Sequence, residues 1–126
     1  MSIYGIGIDL CDIRRVEKSL ARHAEAFACK ILHPEELKIF DSRRFQARFL
    51  AKRFAAKEAF SKALGTGIAD GVTLPDIQVK NDESGKPYIR LHGQAKEKVA
   101  RIKGASLHLS ISDEKHYAVA QVIIEQ

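Results

Sequence analysis

A long helical pattern that ends in two closely spaced glycines most constrains how this chain folds. Its last part reads Arg-Phe-Ala-Ala-Lys-Glu-Ala-Phe-Ser-Lys-Ala-Leu-Gly-Thr-Gly over residues 53–67. Successive side chains of a helix are about 100° apart, which predicts one apolar stripe facing a core. That stripe contains Phe49, Ala56, Phe60 and Ala63. A second face contains Phe54, Glu58, Ser61, Lys62 and Gly65.

The charged residues of that second face have two explanations. Glu58 and Lys62 are four residues apart, so they can form an exposed ion pair that stabilises the helix by about 0.3–0.5 kcal/mol. The Gly65-Thr66-Gly67 turn favours a function instead, because glycine ends a helix and lets the backbone approach a ligand closely. A carboxylate, an ammonium group and a glycine turn together suit a metal-bound phosphate.

Length and charge narrow the class of protein. With 126 residues, 45% of them hydrophobic and 29% charged, we expect a single globular domain over residues 1–126 that uses an oligomer interface to cover more apolar surface. The net charge of +5 favours an acidic partner, which can be a nucleic acid, a phosphate-rich ligand or an acidic protein.

The chain carries no sign of export or of a membrane span. It opens directly on a strand pattern with Asp9 inside it, and its longest apolar run is too short to cross a bilayer. Cys11 and Cys29 lack metal-binding spacing and are expected to be reduced thiols. We therefore expect a cytoplasmic protein with no membrane partner.

The first strand pattern presents a carboxylate without an evident structural role. Over residues 3–10, Ile6, Ile8 and Leu10 alternate with Gly5, Gly7 and Asp9, as a strand requires. The glycine face is expected to leave room beside Asp9. Asp12 is the better candidate for capping the helix that follows.

That helix carries a basic row away from its apolar side. Arg14, Lys18 and Arg22 are spaced four residues apart, where like charges repel one another. The row is either a solvated face or a docking surface for an acidic helix. Three further arginines, Arg43, Arg44 and Arg48, are expected to extend it.

The remaining patterns predict an α+β fold, in which an antiparallel sheet packs against one long and several short helices. A short helix begins at Pro34, with Glu35 and Glu36 in its first turn as structural residues. The long helix runs from residue 41 or 42 to 64, and a loop covers residues 68–75. The other elements are a hairpin of strands 77–80 and 88–91, a helix at 94–103, and an antiparallel pair of strands at 106–112 and 117–125.

The strand at residues 106–112 has one polar face. Leu107, Leu109 and Ile111 are expected to face the core, and the opposite face consists of Ser106, His108, Ser110 and Ser112. Such a face suits a ligand, although a hydroxyl ladder on a solvated sheet explains it equally well.

The candidate chemistry is metal-assisted phosphoryl transfer. Asp9 and Glu58 offer hard oxygen ligands, and Mg²⁺ completes such a sparse set with water and substrate phosphates. Lys62 can neutralise charge on the leaving group. There is no Walker A or dinucleotide motif, and a Ser110–His108–Asp113 triad has poor geometry because its members are close neighbours along the chain.

Three motifs in order carry a resemblance over essentially the whole chain. They are Gly-Ile-Gly-Ile-Asp-Leu at 5–10, Phe-Ala-Ala-Lys-Glu-Ala-Phe-Ser-Lys-Ala-Leu-Gly-Thr-Gly at 54–67, and His-Leu-Ser-Ile-Ser at 108–112. Together with the hairpin sequence Gly-Lys-Pro at 85–87, they resemble the holo-(acyl-carrier-protein) synthases, the small bacterial phosphopantetheinyl transferases. The departures are Cys11-Asp12, where a Val-Glu-like pair is expected, and Phe54, where tryptophan is common.

The resemblance implies an activity, a cofactor and an assembly. Such enzymes use Mg²⁺ to transfer phosphopantetheine from coenzyme A to a serine of apo acyl carrier protein, and they release adenosine bisphosphate. The activity supports fatty acid biosynthesis. They are homotrimers with sites at subunit interfaces. The base that accepts the serine proton stays open between a metal-bound water, Glu58 and Glu35.

The resemblance also implies site residues. The metal ligands are Asp9 and Glu58, and the catalytic residues are Glu58 and Lys62. The coenzyme A contacts are Arg53, Lys62, Gly65, Lys86, His108, Ser110 and Ser112. The carrier-protein surface contains Arg14, Lys18 and Arg22. Two rivals are a nucleic-acid-binding module, which the absence of Trp disfavours, and a purely structural assembly subunit.

Overall fold

The computed structural model describes all 126 residues and confirms the α+β class. The strands are β1 (Ile3–Asp12), β2 (Ile77–Asn81), β3 (Pro87–Leu91), β4 (Ser106–Asp113) and β5 (Tyr117–Glu125). The helices are α1 (Ile13–Ile31), α2 (Pro34–Ser42), α3 (Gln46–Leu64) and α4 (Gly93–Ala100), with a 3₁₀ turn at Leu74–Asp76.

Two antiparallel sheets are present. The larger has the order β1-β5-β4, and β2 and β3 form a separate hairpin. The expected pairing of the last two strands is confirmed, with Ser110 opposite Gln121. The long helix α3 packs on one face of the larger sheet, chiefly against β1 and β5.

The expected helix start at Asp12 is confirmed. Its side chain accepts a hydrogen bond from the Arg14 amide at 2.9 Å, which satisfies one of the free N–H groups of the first turn. The helix bends at His23, where the backbone leaves the helical region.

The prediction of one helix from residue 41 or 42 to 64 is wrong. α2 ends at Ser42, Arg43 is extended, and α3 begins at Gln46. The Phe40 carbonyl at the end of α2 accepts hydrogen bonds from the Arg43 N–H at 3.1 Å and from the Gln46 side chain at 3.0 Å, which connects the two helix ends. The helix at 94–103 is also shorter than expected, since it ends at Ala100 and only turns lead to Gly104.

The prediction that α3 buries one apolar stripe and exposes a second face is only partly confirmed, because most of the helix circumference is buried. Its buried residues are Phe49, Leu50, Ala51, Arg53, Ala55, Ala56, Lys57, Ala59, Phe60, Ser61, Ala63 and Leu64. Small alanines let other elements pack closely around it. Glu58 and Lys62 lie on the remaining accessible strip.

The glycine face of β1 lies against α3 rather than beside open space. A Cβ added at Gly7 would overlap the carbonyl oxygen of Ala59 and lie 2.7 Å from the Ala63 nitrogen. The alternate residues of β1 point outward, and Ile6, Ile8 and Leu10 are 55%, 58% and 65% exposed. None of the helices combines the length and the apolar character that a membrane span requires.

Candidate active site

The structure brings together the three charged residues that the motifs singled out. Asp9 lies on the face of β1 that α3 covers, and Lys62 of α3 donates to Asp9 Oδ1 at 3.1 Å and to the Ile8 carbonyl at 2.9 Å. Glu58 lies one turn before Lys62 on the same helix. The pair that the sequence suggested, Glu58 with Lys62, is therefore replaced by a contact between Lys62 and the strand.

The negative charges of Asp9 and Glu58 lie close enough to favour a bound cation. Burial raises the pKa of Glu58, and the nearby negative charge of Asp9 raises it further, whereas Lys62 lowers it. Two carboxylates that repel one another are stabilised by a positive ion between them. No cluster of three or more His, Cys, Asp or Glu side chains in metal-binding arrangement exists, so such an ion would take its other ligands from water or substrate, as Mg²⁺ does.

A cavity of about 420 Å³ opens beside these carboxylates. It is lined by Asp9, Leu10, Cys11, Asp12, Arg15, Val16, Ser19, Phe27, Phe54 and Glu58. Burial raises the pKa of the Cys11 thiol to about 11, so this thiol is protonated at neutral pH. Arg15 is the cation of this lining, and sequence analysis missed it.

The expected helix end at Gly65 is confirmed. Gly65 has a φ of 91°, which favours glycine, and its N–H bonds to the carbonyls of Ser61 and Lys62. A Cβ added here would have no atom within 4 Å, so the turn is open to a ligand.

Arg14 is held away from this cavity. Its guanidinium donates to both oxygens of Asp12, at 2.9 and 3.0 Å, and to the Tyr117 hydroxyl at 3.1 Å. Lys18 and Arg22 are exposed, as expected. The basic row of Arg14, Lys18 and Arg22 is therefore exposed to solvent. Arg15, the residue after Arg14, lines the cavity beside Asp9 and Glu58.

A buried ionic cluster lies behind the site, and sequence analysis missed it. Lys57, with a fully buried side chain, donates to Glu36 Oε1 at 2.5 Å, to the Ile31 carbonyl at 2.7 Å and to the Leu74 carbonyl at 3.0 Å. Burial lowers the pKa of Lys57 to about 8, and Glu36 opposes that shift. The available signal was a lysine that directly follows Phe54, Ala55 and Ala56 and lies close to Ala59 and Phe60 in a helical pattern.

Arg53, for which the resemblance implies a contact with coenzyme A, belongs to the same buried cluster. Its side chain is 7% exposed, and Nε lies 3.0 Å from Glu36 Oε2 without hydrogen-bond geometry. The guanidinium stacks over Phe49 at 4.2 Å and donates from Nη2 to the Val79 carbonyl. One carboxylate thus faces two cations, and the cluster keeps an excess positive charge.

A second cavity, of about 480 Å³, opens from this cluster and is strongly basic. Its lining includes Arg43, Arg44, Arg48, Lys52 and Arg53, with Asp113 as its carboxylate. The expectation that the three arginines after α2 extend the α1 row is wrong, because they line this separate cavity. Gly85 and Pro87 also line it, so the exposed Lys86 stands at its rim.

The polar face of β4 lies on the other side of the sheet from Asp9. Asp9, Ala120 and Ile111 share one row across the three strands, whereas Ile8, Gln121 and Ser110 share the next row. His108, Ser110 and Ser112 therefore point outward with Ile6, Ile8 and Leu10. His108 lies 3.2 Å from Glu125.

Comparison with known proteins decides the family. A model of the 4'-phosphopantetheinyl transferase superfamily matches residues 5–122. The holo-(acyl-carrier-protein) synthase of Vibrio vulnificus strain CMCP6 is 57% identical over 125 residues, with 99% of each chain covered. This chain belongs to the holo-(acyl-carrier-protein) synthase family of phosphopantetheinyl transferases.

Solved holo-(acyl-carrier-protein) synthases share the fold. The Neisseria meningitidis structure has a TM-score of 0.89 and 42% identity, covering 98% of this chain and 99% of that one. The Bacillus anthracis structure, in complex with coenzyme A (3',5'-ADP), has a TM-score of 0.81 and 40% identity, covering 98% and 97%. The predicted family, fold class and enzyme class are confirmed.

Proposed function

We propose that this synthase transfers the 4'-phosphopantetheine of coenzyme A to a serine of apo acyl carrier protein, with Mg²⁺, and releases adenosine 3',5'-bisphosphate. The convergence of Asp9, Glu58 and Lys62 beside an open cavity carries the proposal. The product would supply fatty acid biosynthesis, in the cytoplasm, from one transferase domain over residues 1–126.

The transfer makes one bond and breaks another. The serine Oγ bonds to the phosphorus on the pantetheine side of the pyrophosphate, and the bond from that phosphorus to the bridging oxygen breaks. Asp9 and Glu58 would hold Mg²⁺, which neutralises charge on the pyrophosphate when bound. Lys62, whose side chain is 53% exposed, is able to turn from Asp9 to the leaving phosphate, and Gly65 admits the pyrophosphate closely.

Among the candidate bases, Glu58 is the best-placed side chain. It lines the cavity that the serine of the carrier protein would enter. Glu35 instead accepts a hydrogen bond from Gln78 at 2.9 Å, and it is absent from the cavity lining.

The coenzyme A contacts on β4 support a homotrimer with interfacial sites. His108, Ser110 and Ser112 point away from α3, so they can reach the carboxylate site only of another subunit. The exposed apolar residues Ile6, Ile8 and Leu10 lie on the same face of the sheet, on β1, with β5 between them and β4. Large exposed apolar patches mark interfaces. We propose that this sheet face packs against neighbouring copies.

The basic cavity of the same subunit would bind the phosphate at the nucleotide end of coenzyme A. Like charges gathered around one cavity are stabilised by an anion, and the excess charge of the Glu36 cluster adds to them. Lys86 at the rim and Arg53 at the base would contribute to binding, Arg53 through its charge rather than as an exposed donor.

The acidic helix of the carrier protein would dock on α1. Arg14, Lys18 and Arg22 are exposed there, and Arg15 leads from this surface to the carboxylates. Charge complementarity of this kind favours encounter and orientation.

Intact-mass spectrometry tests the reaction directly. Apo acyl carrier protein incubated with this chain, coenzyme A and Mg²⁺ is expected to gain the mass of one phosphopantetheine group, and EDTA is expected to abolish the gain. Glu58→Gln should abolish it too, whereas Glu97→Gln, at an exposed carboxylate of α4, should not. Absence of a mass gain with wild-type protein would refute the proposal, and DNA or RNA binding would then be tested.

Subunit complementation tests the interfacial site. Alone, Glu58→Gln subunits are expected to be inactive and His108→Ala subunits weakly active. Mixed trimers, formed by coexpression, should recover about a quarter of wild-type activity, because some sites combine two intact halves. A mixture no more active than its parents would show that one chain supplies the whole site.

A further inference from the structure

The contact between β1 and α3 is closer than side chains would allow. A Cβ at Gly5 would overlap the carbonyl oxygen of Ala63 and lie 2.9 Å from its carbonyl carbon. A Cβ at Gly7 would overlap the carbonyl oxygen of Ala59 and lie 2.8 Å from its carbonyl carbon. Neither glycine has a positive φ, so space, not backbone conformation, requires glycine at both positions.

This contact lies immediately beside the carboxylate site. Gly7 precedes Asp9 by two residues, so both lie on the same face of β1. On the helix, Glu58 directly precedes Ala59, and Lys62 directly precedes Ala63. The separation between the strand and these two alanines therefore sets how far Asp9 stands from Glu58 and Lys62.

We infer that Gly7 is a positioning residue, which fixes the separation between Asp9 and Glu58 by letting the backbone of β1 touch that of α3. The bond from Lys62 Nζ to the Ile8 carbonyl, at 2.9 Å, spans the same contact. The inference rests on the proposed role of Asp9 and Glu58 as cation ligands. Gly5 makes an equivalent contact, but it is four residues from Asp9.

Gly5 therefore provides a matched control for Gly7. Gly5→Ala and Gly7→Ala add the same methyl group against the same helix, so both should lower the urea midpoint. Only Gly7→Ala should weaken Mn²⁺ binding strongly, by about tenfold or more, as loss of a positioning contact does at metal sites. Mn²⁺ affinity is measured by electron paramagnetic resonance with coenzyme A present.

A crystal structure of Gly7→Ala gives a readout independent of metal and activity. The contact of Lys62 Nζ with Asp9 Oδ1, 3.1 Å in the native chain, is expected to lengthen. If Gly7→Ala does not fold, Ala59→Val adds bulk at the helix residue whose carbonyl oxygen meets Gly7, and the same lengthening and loss of Mn²⁺ affinity are expected.

The outcomes separate this inference from the proposed function. Equal losses of Mn²⁺ affinity in the two glycine variants, or an unchanged Lys62–Asp9 contact in Gly7→Ala, would overturn the positioning role. A wild-type protein that binds no Mn²⁺ would overturn the cation site instead, and a lengthened contact in Gly7→Ala would still support the positioning role.

Discussion

Removing the ammonium group of Lys57 should destabilise the protein severely. Lys57→Met keeps much of the side-chain volume but leaves Glu36 facing only Arg53 and two backbone amides, those of His33 and Val79. Arg53 still compensates the charge of Glu36, so the loss comes from buried hydrogen bonds, since Glu36 and the carbonyls of Ile31 and Leu74 each lose a donor. A buried acceptor that loses its donor costs about 1–3 kcal/mol, so the three together cost about 3–5 kcal/mol. Because the free energy of unfolding of a domain is about 5–15 kcal/mol, this substitution should remove a large share of it.

Urea unfolding followed by circular dichroism measures this loss. The free energy of unfolding of a small protein falls by about 1–3 kcal/mol per molar urea, so the urea concentration at the unfolding midpoint should fall by roughly 2 M. All variants are compared at one protein concentration, because an oligomer's stability depends on it. Lys52→Met, at a partly exposed lysine of the same helix, should change stability by only about 0.5 kcal/mol.

A double-mutant cycle tests the stated cause. Glu36→Gln alone should also destabilise, because it leaves the buried cations Lys57 and Arg53 without their carboxylate. Glu36→Gln with Lys57→Met should lose less than the sum of the two, because only Arg53 then lacks a carboxylate and no second buried cation repels it. A loss below about 1 kcal/mol for Lys57→Met, or strict additivity in the cycle, would refute the view that this ion pair anchors α3.

Three further predictions follow from other contacts. The rings of His33 and His92 stack with their centroids 4.5 Å apart, and His33 caps α2 through Nδ1. Burial lowers the pKa of His92, and the charges of His33 and Arg90 lower it further. Asp76 and Glu35 oppose that shift. The unfolded chain then binds more protons than the folded one below about pH 6.5, so stability should fall on acidification. His33→Asn should flatten this dependence in melting curves and exposed His23→Asn should not, and equal slopes would contradict the explanation. Arg15→Ala should raise the KM for carrier protein more than Arg14→Ala, because Arg14 is bound to Asp12; steady-state kinetics with the reverse order would exclude this. Ile8→Asp should convert the proposed trimer to monomers in light scattering, whereas exposed Glu97→Gln should not, and an unchanged mass would show that this sheet face is not the interface.

Much of the fold followed from local patterns. Alternation predicted β1, β4 and β5, Asp12 and Pro34 marked helix starts, and Gly65 marked a helix end, because capping and strand periodicity act over a few residues. The helix boundary at residues 43–45 was missed, since no proline or glycine marks it and the helical pattern continues across it.

Two carboxylates, a lysine and a glycine turn, in motifs that identify the family, can be read from the amino-acid sequence alone. Which of these groups contact one another depends on the tertiary structure. It paired Lys62 with Asp9 rather than Glu58, buried Arg53 and Lys57 against Glu36, and turned His108 away from the carboxylates. Such contacts join residues far apart in the chain, and their energies depend on burial and separation, which no local pattern contains.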